Sequence, residues 1–196
     1  MKSAQVDKIK KWHTVISFLI FIGSLLYSIF KTNLNLLENP LSKLGTNSKT
    51  SWIWHSTLAL LDIIIIFNSF YHVWIGNLKY KNILSLGFLV AGLGLLGVII
   101  FNMSIHPYHN LFAATFFIAY STSIFYFGFF QIKNDFRIAM SSIVIGLSMY
   151  AFPIISYLLV KSFSIPELFY ITLSFAWNTI INFSTEWKGF LKRIGF

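Results

Sequence analysis

The chain of 196 residues contains no cysteine. That excludes disulfides, thiol catalysis and thiolate metal sites, and it leaves the redox compartment open. Charge is scarce too. Asp, Glu, Lys and Arg make up 11% of the residues, whereas a soluble domain carries about a quarter. Lysine is missing from the interior of every long apolar run, so a retinal Schiff base has nowhere to form. A haem reading fails as well. It needs histidine pairs at matched depth on different helices, and although His55 and His109 can be argued as one pair, His72 has no counterpart.

Apolar residues dominate instead, 56% of the chain with a mean hydropathy of +0.71. They form runs of roughly 17–25 residues, the length that crosses a bilayer as a helix. Short polar islands separate the runs and hold most of the charge. The expected class is an all-α polytopic membrane bundle, a single transmembrane domain over 1–196 with no separate soluble domain. The net charge of +9 is no sign of nucleic acid, because the bases flank the spans as the positive-inside rule requires. The N-terminal "MKSAQVDKIKKWH" is basic, but the apolar run after it is of spanning length and lacks a small-residue cleavage site. A retained first span is expected.

Six transmembrane helices are expected, at about 13–30, 51–73, 83–102, 110–131, 137–160 and 168–184. The connecting segments then alternate sides, with eleven Lys and Arg on one side and four on the other. This bias predicts cytoplasmic N and C termini in a multi-pass protein of the cell membrane. The long first loop and the turn "NMSIHPYHN" at 102–110 then lie outside. His106 precedes Pro107, which disfavours helix at that point, and Asn110 is placed to N-cap the fourth span.

Gly87, Ala91 and Gly94 fall at helical spacing on the third span, with Gly92 and Gly97 nearby. Small residues on one stripe let helices approach closely in lipid, so packing is the first explanation. Ser142 and Gly146 repeat the theme on the fifth span, where Pro153 should kink the helix. The 22 phenylalanines suit packing and lipid-facing surface. "EWKGFLKRIGF" at the C-terminal end reads as an amphipathic helix on the inner leaflet.

Asp62 is the one acidic residue deep in a span. An ionised carboxylate there costs about 2.5–3.5 kcal/mol on insertion scales, so Asp62 should face the bundle interior and find partners or hold its proton. Counting inward along the other spans puts Tyr120, Ser121, Tyr150 and Asn178 at a similar level. They are candidates for an intramembrane polar belt, either a structural cluster or a proton or ligand site.

His55 lies two turns before Asp62 on the same face, roughly 6 Å below the outer end of its helix at 1.5 Å per residue. That depth approaches His106 and His109 if the second, third and fourth helices pack together. Glu38 and Glu167 are on the same side. Three histidines and a carboxylate can hold zinc. A metal-free catalytic pocket of His55, His106, His109 and Glu38 is the second reading. The third is that these residues merely anchor helix ends at the headgroups.

"NPLSKLGTNSKTSWIWHSTL" resembles the first outer loop and second-helix entry of the six-span family catalogued as domain of unknown function 998. The matching elements are Leu41, Ser42, Leu44 and Gly45, then Gly92, Gly94 and Gly97, then His109, Phe112, Ala113, Phe116 and Phe117. That group is distantly similar to the DRAM/Frag/Sfk membrane proteins, which implies a link with lipid handling. It also looks related to membrane hydrolases that use Ser, His and Asp around a metal. The chain departs from the hydrolase pattern, because spans five and six hold no histidine and the third span ends "GVIIFNMS" rather than "GxFP".

Three functions follow as expectations. The first is a non-catalytic membrane protein that binds or organises lipid or a partner membrane protein, alone or as a homo-oligomer, without cofactor or nucleic acid. The second is a lipid-active hydrolase or transferase with an extracytoplasmic histidine site, with or without zinc. The third is a proton-linked carrier that uses Asp62.

Overall fold

The computed structural model describes the backbone of residues 3–74, 80–161 and 163–193, and the side chains of 12–70, 80–159, 161 and 163–183. Six α-helices follow one another: α1 (Ser3–Thr32), α2 (Ser51–Trp74), α3 (Lys81–Ile100), α4 (His106–Gln131), α5 (Phe136–Val160) and α6 (Ser164–Arg193). A short 3₁₀ turn, Leu41–Gly45, interrupts the first loop. There is no strand among the described residues. Five helices contain stretches long and apolar enough to cross a membrane: Trp12–Thr32, Ser51–Phe70, Lys81–Ile100, His106–Gln131 and Phe136–Leu159. The chain is thus a multi-pass membrane protein. α6 is long enough, but Glu167, Asn178 and Asn182 leave it less apolar than the other five.

Local sequence sets the ends. The Asp135 carboxylate caps α5 by accepting the Ile138 N–H at 3.3 Å, as a helix N-terminus with unpaired donors requires. Lys161 closes α5 in the left-handed region at φ 58°, and its N–H reaches the Tyr157 carbonyl at 2.8 Å. The fourth helix starts earlier than its expected bound of 110. It begins at His106, with Ile105 at the N-cap and Pro107 in the first turn. Proline is favoured there because its missing N–H has no intrahelical acceptor to lose. Asn110 is therefore not the cap. Its side chain turns back to His106 instead. α5 runs on through Pro153 to Val160.

Each helix packs on its sequence neighbours, and α6 closes the ring against α1. The glycine stripe of α3 lies on α4. A Cβ at Gly94 would stand 2.6 Å from the Phe116 nitrogen, and one at Gly87 2.1 Å from Ser123 Cβ. Backbone contact this close is how helices gain dispersion energy in lipid, where burial alone gives no drive. Gly128 and Gly146 bring α4 and α5 together in the same way.

Two apolar cores result. One centres on α3, α4, α5 and α6, where Phe88 stacks on Tyr120 at 4.7 Å and meets Trp177 edge-on at 5.6 Å. The other joins α1, α2 and the first loop through Phe21, Leu25, Leu41, Leu44 and Trp54. Leu19, Phe30, Ile63, Leu86, Leu93 and Leu159 are more than half exposed and turn outward, as expected where the solvent is hydrocarbon.

Candidate functional site

A cavity of about 600 Å³ opens among α4, α5 and α6 at the end of the bundle that carries the first loop. This is the size range of small-molecule sites, about 300–1,000 Å³. Its depth is lined by Phe117, Ile118, Met149, Ile154 and Tyr170, and its loop end by Ser42, Met103, His106, His109, Asn110 and Glu167.

The first loop is fastened over this end. The Leu41 N–H donates to Glu167 Oε2 at 2.7 Å, and the Ser164 hydroxyl donates to the Asn39 carbonyl. Ser42 Oγ reaches Met103 Sδ at 3.4 Å. Leu41 and Leu44 are fully buried beneath the loop. The "LSKLG" stretch is therefore a turn with two apolar anchors that holds Pro40 and Ser42 at the cavity wall. Glu167 lies one residue ahead of the sixth expected span. Burial pushes its carboxyl up to about 7, against the smaller opposing pull of the Leu41 N–H.

The two histidines of the turn differ. His109 is buried, and its Nδ1 lies 2.9 Å from the Phe101 carbonyl oxygen. A carbonyl only accepts, so the ring donates from Nδ1, and in the neutral imidazole Nε2 is left as an acceptor. His106 is exposed, and its Nδ1 lies 3.1 Å from the Asn110 amide nitrogen. That amide only donates, which places the neutral ring's proton on Nε2.

The other two members of the expected catalytic set lie elsewhere. The His55 ring is packed against the 3₁₀ turn, where a Cβ on Gly45 would be 3.2 Å from its Nε2, and it does not line the cavity. Glu38 lines a separate polar depression of about 450 Å³ with Asn33, Asn35, Asn39, Lys43 and Asn47. Among the described residues no three His, Asp or Glu side chains are placed to share a metal ion. The carboxylate that joins His106 and His109 is Glu167. Its sequence signal was an acid at the start of a span, on the same side as the histidine turn.

The polar residues expected within the membrane divide into local groups. Asn178 donates to the Tyr120 hydroxyl at 2.6 Å, joining α6 to α4. Tyr150 pairs with Thr122 and reaches the Ile118 carbonyl at 3.2 Å. Ser121 donates to Tyr170, whose hydroxyl donates to the Phe117 carbonyl at 2.7 Å. Asp62 is 5% exposed and faces Gly92 of α3, and its Oδ1 has no hydrogen-bond partner among the described residues. His13 meets Phe67 edge-on. The side chains of His72 and of the expected C-terminal amphipathic segment lie outside the described residues.

No curated protein and no solved structure matches the chain. A family model described as "Protein of unknown function (DUF998)" matches residues 14–183, which take in α2 to α5, most of α1 and α6, and the first loop with its "LSKLG" turn. This bundle of bilayer-length helices therefore belongs to the DUF998 family.

Proposed function

We propose that the protein is a six-span lipid-binding protein of the cell membrane, with both termini cytoplasmic, and that an alkyl chain occupies the α4–α5–α6 cavity. The cavity carries this reading, because its depth is apolar and its one polar end lies at the loop side of the bundle. The polar groups within its depth already have partners. Tyr150, Tyr170 and Ser121 bond to one another's helices or to backbone, so they ask nothing of a ligand. In the orientation set by the positive-inside rule, the polar end sits at outer headgroup depth. The test is lipid retained by the purified protein, weighed by native mass spectrometry. Wild type should hold lipid through gentle detergent exchange. Ala113→Trp, which places an indole in the cavity wall, should not.

A second reading has a specific observation behind it. The Nε2 acceptor of His109 is the form a general base takes, in a ring held by a backbone carbonyl. If the protein acts on its lipid, His109→Gln should cost turnover far more than it costs binding.

A further inference from the structure

The polar end of the cavity restricts what kind of head it can receive. None of the described residues lining it is Lys or Arg. Lys161 closes α5 at that end, but its Nζ lies over the Tyr157 ring at 5.9 Å from the centroid and does not line the cavity. The titratable groups that do line it are His106 and His109 on α4, Glu167 and Tyr170 on α6, and Tyr150 and Tyr157 on α5. The hydroxyls of Tyr150 and Tyr170 are already bonded.

What remains is of both kinds, since the His106 ring and the Asn110 amide offer N–H donors beside two acceptors. His109 has Nε2, and Glu167 has a carboxylate with one oxygen committed to Leu41. A phosphate or carboxylate head brought here would meet Glu167 with no Lys or Arg among the described lining residues to offset it, and like charges in a partly buried site repel strongly. An ammonium would find one carboxylate but would lose its hydration in an apolar site. A hydroxyl satisfies the geometry without either penalty. It donates to His109 Nε2 or to Glu167, and it accepts from the Asn110 amide.

Resting on the lipid-binding reading above, we infer that the ligand is an uncharged, hydroxyl-headed lipid whose alkyl chain fills the cavity and whose hydroxyl bonds to His109 and Glu167.

The test uses the full chain in nanodiscs at about pH 8.5, where free carboxylates are ionised. Binding is compared for monooleoylglycerol, oleate and oleylamine. Monooleoylglycerol should bind at least about tenfold tighter than either charged probe, the worth of roughly one unfavourable buried contact. Glu167→Gln keeps a carbonyl oxygen for the Leu41 N–H and removes the charge. It should raise oleate affinity severalfold and so narrow the gap between oleate and monooleoylglycerol. Oleate or oleylamine binding as tightly as monooleoylglycerol to wild type would overturn the head-group assignment and leave the cavity reading standing. No binding of any probe, or binding of all three unchanged in Ala113→Trp, would overturn the cavity reading itself. The wild-type ranking decides without reliance on any variant folding.

Discussion

Glu167 Oε2 accepts the backbone N–H of Leu41 at 2.7 Å, joining two residues 126 positions apart. The bond ties the first loop to the start of α6, and its partners are the motif turn and the half-buried acid of the candidate site. Glu167→Ala leaves that N–H without its acceptor and should lower stability by about 1–3 kcal/mol in detergent, whereas Glu167→Gln should cost much less. Thermal unfolding of the two variants checks the difference.

The same carboxyl gives a pH dependence of defined sign. Folding raises it from 4.5 to about 7 through burial, so the folded state holds its proton over a range where the unfolded chain has released it. Its share of stability is full below about 4.5 and is lost as pH rises towards about 7, by at most about 3 kcal/mol. The melting temperature of wild type should fall across that window by more than that of Glu167→Gln. Parallel curves would show that Glu167 titrates normally.

Asp62 is buried against Gly92 with one oxygen unpartnered among the described residues. Removing an unsatisfied buried polar group is neutral or stabilising, by up to about 1–3 kcal/mol. Asp62→Leu should therefore melt no lower than wild type. The sequence alone pointed the other way, since an acid at that depth is expected to have partners that a leucine would strand. A clear fall in the melting temperature of Asp62→Leu would reveal such partners.

Close approach of α3 and α4 at Gly94 predicts a cost for any side chain there. A Cβ would meet the backbone of Phe116 at 2.6 Å, and backbone cannot swing aside, so Gly94→Ala should destabilise by about 1–3 kcal/mol. At Gly23 in α1, nothing lies within 4 Å of where a Cβ would stand, and Gly23→Ala should be neutral or mildly stabilising through helix propensity. Thermal unfolding of the two variants side by side is the check. Equal effects would mean that α3 and α4 pack less tightly than described.

The lack of native cysteine makes the topology easy to probe. Ser48 in the first loop and Lys133 after α4 are exposed at opposite ends of α4 and its neighbours. Ser48→Cys should react with an impermeant maleimide on intact cells, and Lys133→Cys only after permeabilisation. The reverse pattern would invert the orientation drawn from the Lys and Arg bias.

The helical bundle was legible because hydrocarbon imposes length and apolarity on whole segments, and five helices satisfy both criteria. α6 was harder, since Asn178 and Asn182 dilute its apolar signal while serving contacts to Tyr120 and Thr14. Depth counting set Tyr120 level with Asn178, and those two are bonded. The same counting cannot say which way a side chain turns. His55 and the His106–His109 turn share a side of the bundle, but His55 faces Gly45. The first loop was the least legible part. Glu38 and Glu167 are equally good candidates in one dimension, and only the fold of Leu41–Gly45 over α6 selects Glu167. The start of α4 was missed because a residue before proline usually avoids helix, whereas here Pro107 sits inside the first turn.

The most direct measurement is where a lipid chain lies. A photoreactive, hydroxyl-headed alkyl probe would be supplied to membranes containing the protein, crosslinked, and mapped by peptide mass spectrometry. Lipid bound in the cavity predicts crosslinks on the lining peptides of α4, α5 and α6, around Phe117, Met149 and Tyr170, and their loss in Ala113→Trp. Crosslinks confined to outward residues such as Leu19, Leu86 and Leu93, unchanged by Ala113→Trp, would contradict the account.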